Sequence, residues 1–233
     1  RGKHSLAPVM RYVIQRGIEI AENGLQVERP HYLLNPTYEE ARRWVDAYKA
    51  EQKRNPADCY LSFDIETPYK SGKDESEIAR EDDDDYTILR CAFAYQPGDA
   101  MSIQWTAEFM GLIEELFGIE GSYIIGWNSD VYDLPRIAQY VQVKGISLDA
   151  MLAWHVLNTS MPKGLGFVTP FYLKNTKMWK HIATIKGEEA FYNAKDADAA
   201  LRCWMGIKED LKGNQLWGVF EEHVVRLNEV LSY

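Results

Sequence analysis

The sequence predicts a mixed α/β fold, in which helices pack on the faces of one central sheet. Apolar stretches of strand length come first, at residues 59–67, 87–95 and 100–105. From residue 107 onward, apolar residues at helical spacing alternate with a further strand-like run at 122–127. Strands followed by alternating helices and strands are typical of a sheet that helices cover.

The composition limits the classes of protein that fit. With 233 residues, 46% of them hydrophobic, the chain can bury the core of one large domain with an appendage. No apolar run approaches the ~20 residues that cross a bilayer, and residues 1–4 contain no secretory apolar region. We therefore expect a cytoplasmic protein that is not secreted and has no membrane partner. Because the first residue is not methionine, we also expect the chain to be a fragment.

The charge and the cysteines narrow the prediction further. A net charge of -9 argues against a protein that coats nucleic acid nonspecifically, although it is compatible with a local basic groove. Cys59, Cys91 and Cys203 are isolated, odd in number and set in apolar stretches. This pattern favours free thiols in a reducing compartment over a disulfide framework.

Residues 1–56 are interpreted as an N-terminal extension. Residues 1–36 mix basic and apolar side chains without sustained periodicity, prolines indicate turns near 29–36, and no function is assigned to them. A helix is predicted over 37–54, because Thr37 and Glu40 have the spacing of a capping box. Apolar residues then recur at helical spacing at Ala41, Trp44, Val45 and Tyr48.

The central strand, 59–67, ends in two carboxylates. Side chains alternate between the faces of a strand, so Asp64 and Glu66 point to one face while the apolar residues between them point to the other. Two neighbouring carboxylates repel each other and are costly to bury. A divalent cation would remove both costs, and oxygen ligands suit magnesium or manganese. A strand that simply runs into an acidic surface turn would explain the pair equally well.

An acidic loop and a strand pair follow. The run of acids at 81–85 is interpreted as a solvated loop tip, because consecutive residues do not converge on one point. The strands at 87–95 and 100–105 are separated by Gln96–Asp99, a strong turn signal. Together with the central strand they predict a meander.

A second acidic position follows the strand at 122–127. A polar turn and a predicted helix over 130–141 place Asp130 and Asp133 at the carboxyl end of that strand, where open α/β sheets tend to form their sites. Capping of the helix is the alternative role for Asp130. Asp149, before a predicted helix over 149–158, would serve the same site or cap its helix.

The third acidic position lies on a helix predicted over 188–212. Tyr192 and Asp196 are four residues apart and share one helical face, and small alanines around them allow close approach to the sheet. Asp198 lies about 200° around the helix from Asp196 and should face elsewhere.

Taken in order, Asp64-x-Glu66, Asn128-x3-Tyr132-Asp133 and Tyr192-x3-Asp196 resemble the three motifs of the DEDD superfamily of 3′–5′ exonucleases, in the branch that uses a tyrosine. The resemblance spans about residues 57–212. It is most specific to the proofreading domains of family A DNA polymerases, particularly those of phages, through Lys163–Phe167 and Trp179–His181. Residues 213–233 are similar to the helix that connects such domains to a polymerase domain.

The resemblance implies a ribonuclease H-like fold with a mixed five-stranded sheet flanked by helices. It also implies that two divalent cations, Mg²⁺ or Mn²⁺, are held by four carboxylates, of which Asp64 contacts both ions, and that Tyr192 orients the attacking water. The implied ligands are Asp64, Glu66, Asp133 and Asp196. The residues expected to bind the substrate are Thr67, Asn128, Tyr132, Lys177, Lys180 and His181.

A basic segment supports the prediction that Lys177, Lys180 and His181 bind the substrate. Five lysines and one histidine, but no acidic residue, lie between Lys163 and Lys186, directly before the helix that carries Tyr192. Aromatic residues are interleaved with them, as single-strand grooves commonly require. A solvated loop whose lysines aid solubility is the alternative.

The predicted activity is therefore two-metal-ion removal of nucleotides from the 3′ ends of single-stranded DNA, as the proofreading domain of a DNA polymerase in the same parent chain. RNA is not excluded as the substrate. The alternatives are an RNA-trimming exonuclease of the same fold, a ribonuclease H-like endonuclease, which the tyrosine motif disfavours, and a catalytically silent binding module. His155 lies among apolar residues and is interpreted as structural.

Overall fold

A computed structural model describes residues 7–24, 27–68, 86–173, 176–183 and 185–227. These residues form one mixed sheet with helices on both faces, which confirms the predicted fold class. The strands are β1 (His31–Leu34), β2 (Tyr60–Glu66), β3 (Arg90–Gln96), β4 (Asp99–Gln104), β5 (Tyr123–Gly126) and β6 (Ile146–Asp149). Their order across the sheet is β1-β4-β3-β2-β5-β6.

The central strand β2 is held on both sides. It pairs antiparallel with β3, with Phe63 opposite Phe93, and parallel with β5, with Leu61 opposite Ile124. β3 pairs in turn with β4, which gives the predicted meander. The strand that carries both predicted carboxylates is therefore fixed by hydrogen bonds along most of its length.

The sheet in the described part of the chain has six strands, one more than predicted. β1 comes from the extension, where turns were predicted, and runs parallel to β4 with His31 opposite Asp99. β6 runs parallel to β5 and ends at Asp149. Each of these edge strands has four residues, which is too short for an alternating pattern to be recognised in the sequence.

The helices form a layer on each face of the sheet. They are α1 (Ala7–Asn23), α2 (Tyr38–Arg54), α3 (Ala107–Phe117), α4 (Asp133–Ile137), α5 (Ala150–Leu157), α6 (Leu165–Tyr172), α7 (Glu189–Gly213) and α8 (Trp217–Phe220), with a 3₁₀ turn at Lys180–Ile182 and a π turn at Glu221–Val225. In one layer α2, α3 and α4 cover the β2 face that carries Leu61, Phe63 and Ile65. In the other, α5, α6 and α7 cover the opposite face.

Several predicted elements differ in length. The helix predicted over 130–141 is only the short α4, because a turn occupies the residues before Asp133. The basic segment between Lys163 and Lys186, for which no helix was predicted, contains α6, which runs through Pro170. The acidic run 81–85 lies outside the described residues.

Two local predictions, the capping box and the free thiols, are confirmed. Thr37 and Glu40 form both hydrogen bonds of a capping box at the start of α2. Cys59, Cys91 and Cys203 are buried free thiols. Within the described ranges no helix combines the length and the apolarity needed to cross a bilayer.

The extension is attached to α7 by polar contacts. The Tyr32 hydroxyl on β1 donates to Asp198 Oδ2 at 2.6 Å, and the other oxygen of Asp198 accepts from the backbone N–H of Gly98. Asp198 thus points away from Asp196, as its position on the helix predicts. Arg202, one turn further along, forms a two-bond ion pair with Glu28.

Candidate metal centre and nucleic-acid site

Three carboxylates meet where the carboxyl end of β2 faces α7. Asp64 and Glu66 come from β2 and Asp196 comes from α7, and one oxygen from each lies within 4.8 Å of the others. The alternation of β2 turns its apolar side chains towards α2 and α3, which leaves its acids on the α7 face. The two acids of the central strand thus lie together with a third carboxylate from the last motif.

Asp64 is held by a side-chain amide from α7. Asn193 Nδ2 donates to the backbone oxygen of Asp64 at 3.0 Å and to its carboxylate Oδ2 at 2.8 Å. Burial raises the pKa of Asp64 well above its usual range, and the charges of Asp196, Glu66 and Asp133 raise it further, while that of Lys180 opposes them. The site therefore resists holding all its negative charge, and a cation would relieve that cost.

Asp133 lies next to these acids, at the start of α4. It is buried, and its Oδ1 accepts from the backbone N–H of Ile65 at 3.1 Å, between the two acids of β2. Its oxygens are not within the 4.8 Å group, but its charge contributes to the raised pKa of Asp64. The structure thus brings the second motif against the first through a backbone contact.

Both oxygens of Asp196 are engaged by the segment before α7. Trp179 Nε1 donates to Oδ1 and Lys180 Nζ to Oδ2, each at 2.6 Å. Lys180 Nζ also donates to the Tyr192 hydroxyl at 2.9 Å, which confirms that Tyr192 and Asp196 share one face of the helix. Burial would lower the pKa of Lys180, but the neighbouring charges of Asp196 and Tyr192 and the hydrogen bonds to both outweigh it, so the pKa is raised.

No protein-family model and no curated protein matches the chain. Solved structures do. The catalytic core of RRP6 from Trypanosoma brucei has a TM-score of 0.59 at 15% identity, covering 97% of this chain and 61% of that one. NrnC from Brucella melitensis with bound Mg²⁺ has a TM-score of 0.54 at 15% identity, covering 72% and 81%. The POL domain of Pol1 from M. smegmatis, in complex with DNA primer-template and dNTP, has a TM-score of 0.53 at 12% identity, covering 81% and 28%.

The chain has the ribonuclease H-like fold of the DEDD exonucleases. At these identities the similarity concerns the fold, so the chemistry has to be argued from the residues of this chain. The donor set fits hard divalent cations, because every ligand atom in the cluster is a carboxylate oxygen. The raised pKa of Asp64 fits them too, since a bound cation would stabilise its ionised form.

Thr67 and Tyr132, two of the residues expected to bind the substrate, contact each other beside the carboxylates. The hydroxyls of Thr67 and Tyr132 are 2.7 Å apart, which joins the end of β2 to the turn before α4. The ring of Tyr132 is covered by the Arg136 guanidinium, 3.9 Å from its centroid, and Arg136 donates to the Tyr132 backbone oxygen. This fixes the tyrosine next to Asp133.

The turn that carries Asn128 is held by Asp149. Asn128 has a φ of 64°, in the left-handed region that asparagine tolerates better than most residues. Its N–H donates to Asp149 Oδ1, which also accepts from the N–H groups of Met151 and Leu152. Burial, followed by the charge of Asp130, raises the pKa of Asp149 to about 7. Of the two predicted roles for Asp149, capping is confirmed.

The three basic residues predicted to contact the substrate are separated in the structure. Lys180 turns inward to Asp196, whereas Lys177 and His181 are exposed, and no hydrogen bond or ion pair of these two is found in the described part of the chain. Trp179 is buried against Asp196, so its indole fills the core and is not placed to stack on a base. Sequence reasoning missed Trp179 and Asn193 as partners of the carboxylates. Only the position of Trp179 in a family-like stretch gave a signal.

Proposed function

We propose that this protein is a two-metal-ion exonuclease that removes nucleotides from the 3′ ends of single-stranded DNA. The observation that carries the proposal is the convergence of Asp64, Glu66 and Asp196 within 4.8 Å, with Asp133 against the same strand. Two sequence-distant elements, β2 and α7, bring like charges together at a cost that cation binding would offset.

Asp64, Glu66, Asp133 and Asp196 are proposed to hold two divalent cations, Mg²⁺ or Mn²⁺. Bound there, the ions would activate a water molecule and stabilise the leaving 3′ oxygen of an in-line displacement at phosphorus. Carboxylate ligands from both the strand and the helix would hold the site rigidly, since β2 is paired on both sides.

Tyr192 is proposed to orient the attacking water. Its hydroxyl accepts from Lys180, which leaves the hydroxyl proton to donate elsewhere. Burial raises the pKa of Tyr192, and the charge of Asp196 raises it further, so the phenol keeps that proton at neutral pH. Tyr192 would therefore act as a hydrogen-bond donor and not as a base.

The terminal nucleotide would lie against Thr67, Asn128 and Tyr132, beside the carboxylates. Lys177, Lys180 and His181 would contact the phosphates that precede it, with Lys180 nearest to the reacting group because it already touches Asp196 and Tyr192. Such phosphate contacts give affinity with little sequence preference, which suits an enzyme that trims any 3′ end.

A role in proofreading is the finer part of the proposal. It is supported by the resemblance of Lys163–Phe167 and Trp179–His181 to phage proofreading domains. The region similar to this chain makes up 28% of the Pol1 chain, so this fold also occurs inside a longer polymerase chain. We propose that 57–212 is the exonuclease domain and that 213–233 leads towards a polymerase domain.

RNA trimming by the same residues is the second candidate. The described site offers carboxylates, a tyrosine and a lysine to metal and phosphate, and these groups do not depend on the 2′ position of the sugar. A catalytically silent binding module is disfavoured, because all four carboxylates and the tyrosine are present.

The test is digestion of 5′-labelled single strands of DNA and RNA, with Mg²⁺, with Mn²⁺ and with EDTA. We expect a metal-dependent ladder that shortens from the 3′ end, faster on DNA, and no cleavage of circular single-stranded DNA. The double variant Asp64→Asn, Glu66→Gln should not trim. Cutting of circular DNA would indicate an endonuclease, faster trimming of RNA would favour the second candidate, and wild-type trimming by the double variant would refute the site.

A further inference from the structure

Asn193 is a buried side chain that no motif singled out, yet it touches the central carboxylate. Its side chain is fully buried on α7, one residue after Tyr192. Its Nδ2 bridges the backbone oxygen and the carboxylate Oδ2 of Asp64, at 3.0 and 2.8 Å. The amide is therefore held against the residue whose carboxylate lies at the centre of the acidic cluster.

A chain of hydrogen bonds orders this amide from behind. Ser102 Oγ on β4 lies 2.7 Å from Asn193 Oδ1, and Arg90 Nη1 on β3 lies 2.7 Å from Ser102 Oγ. Arg90 Nη2 in turn donates to the side-chain oxygen of Asn35, at the end of β1. Ser102, Arg90 and Asn193 are all buried, so water does not compete for these bonds.

The direction of every bond in this chain follows from Arg90. A guanidinium carries only donors, so Ser102 Oγ must accept from it. The single hydroxyl proton of Ser102 then donates to an acceptor, which has to be Asn193 Oδ1. This fixes the amide with its Nδ2 towards Asp64, because a reversed amide would set its oxygen against two acceptor oxygens of Asp64 and its N–H groups against the hydroxyl proton of Ser102.

We propose that Asn193 is a positioning residue for Asp64, with its amide oriented by Ser102 and Arg90. One carboxylate oxygen of Asp64 is tied to Asn193, so the carboxylate cannot rotate freely and presents its other oxygen in one direction. The inference rests on the proposed function in one respect, namely that Asp64 is a metal ligand. Hydrogen-bonded partners of ligating carboxylates are known to support metal affinity.

A merely structural role would predict something different. If Asn193 only filled space and satisfied Ser102, its loss would lower stability without changing how the acidic cluster binds a cation. The two roles therefore separate in a direct measurement of metal affinity, which needs no nucleic acid and no turnover.

The experiment is a titration of Mn²⁺ followed by electron paramagnetic resonance, on the full chain. Asn193→Leu removes the donor at similar volume and should raise the Mn²⁺ dissociation constant about 10- to 100-fold, the range found for residues that support metal ligands. Ser102→Ala does not touch Asp64 and should raise it less, in the same direction. The double variant should bind Mn²⁺ no more weakly than Asn193→Leu alone, because both substitutions interrupt the same series of hydrogen bonds.

Ser62→Ala is the matched control. Ser62 is an equally buried serine on β2, and its hydroxyl has no hydrogen-bond partner among the described residues. Its Mn²⁺ affinity should equal that of the wild type. Circular dichroism verifies that each variant folds. If Asn193→Leu does not fold, Ser102→Ala still tests the proposal.

Three results would overturn the proposal. They are an unchanged Mn²⁺ affinity in both Asn193→Leu and Ser102→Ala, an equal loss of Mn²⁺ affinity in Ser62→Ala, and additive losses in the double variant. Absence of Mn²⁺ binding to the wild type would overturn it as well. A wild type that binds Mn²⁺ but trims no 3′ end would refute the proposed function alone, since the comparison of affinities would still decide the role of Asn193.

Discussion

Replacing Asp64 by asparagine should have opposite effects on stability with and without metal. Without metal, the half-buried carboxylate lies beside Asp196, Glu66 and Asp133, whose charges together with desolvation raise its pKa. Asparagine keeps the shape and can still accept from Asn193, but it removes the charge. The variant should therefore be more stable than the wild type in EDTA at pH 8.

The sign and size of the effect follow from the site. The carboxylate oxygens lie within 4.8 Å of one another; two unit charges at that separation repel by about 3.5 kcal/mol at an effective dielectric constant of roughly 20, and Lys180 offsets part of this repulsion. A carboxyl whose pKa is raised by folding costs stability above its unfolded pKa, near 3.8. The advantage of the variant should grow as the pH rises from about 4 to 8 and be absent below 4.

With metal the order should reverse. At Mg²⁺ concentrations about 1,000-fold above the Mg²⁺ dissociation constant, the wild type gains about 4.1 kcal/mol, which exceeds the repulsion of about 3.5 kcal/mol. For a chain of this size that gain corresponds to a rise in Tm of about 8 to 16 °C. Asp64→Asn should gain little, because the residue implied to contact both ions has lost its charge.

The assay is thermal unfolding followed by circular dichroism, in EDTA and across a Mg²⁺ series, at pH 4 and pH 8. Asp46→Asn, which changes an exposed carboxylate on α2, is the control and should keep the full Mg²⁺ shift. A Mg²⁺ shift in Asp64→Asn equal to that of the wild type, or a lower Tm in EDTA at pH 8, would refute the reasoning.

Three further predictions concern other residues. Tyr192→Phe should slow trimming about 100-fold, since it removes a group that positions the water, while the Mn²⁺ affinity stays the same. Equal losses of trimming rate and Mn²⁺ affinity would contradict the role proposed for Tyr192. Lys177→Ala should weaken binding of single-stranded DNA in Ca²⁺ and make the salt slope shallower by about 0.7, and an unchanged slope would return this lysine to a solvated loop. Glu115 has its pKa lowered to about 2 by hydrogen bonds from Arg42 and Lys49; Glu115→Gln should therefore cost about 0.5–1 kcal/mol in urea unfolding at pH 7, less as the pH falls from 4.5 towards 2, and a cost independent of pH would contradict this.

Local patterns explain why so much of the site could be predicted. The alternation along β2 decided which face carries Asp64 and Glu66, because side-chain direction in a strand depends on position alone. The spacing of Tyr192 and Asp196 decided that they share a face of α7 for the same reason. Lys180 now links these two side chains with hydrogen bonds.

The parts that could not be predicted depend on contacts between distant elements. The strand β1 is defined by its pairing with β4. Its four residues, which lie between Pro30 and Pro36, carry no pattern that predicts a strand. Asn193 became visible only when α7 was packed on β2 and β4, since its partners lie 129 and 91 residues away. The inward turn of Lys180 likewise depends on where Asp196 lies.

The helix α7 connects the acidic site to the N-terminal extension. We therefore expect the extension to contribute to the stability of the domain and to its metal binding. With about 100° per residue, Tyr192, Asn193 and Asp196 face the site, while Asp198 faces the opposite side and accepts from Tyr32 on β1. The series of hydrogen bonds from Asn193 through Ser102 and Arg90 ends on Asn35, which is also in the extension. A chain cut at the predicted boundary after residue 56 would lose both attachments and expose an edge of β4. We therefore expect residues 57–227 alone to unfold at lower urea concentration and to bind Mn²⁺ more weakly than 27–227, and equal values for the two would show that the extension is only an appendage.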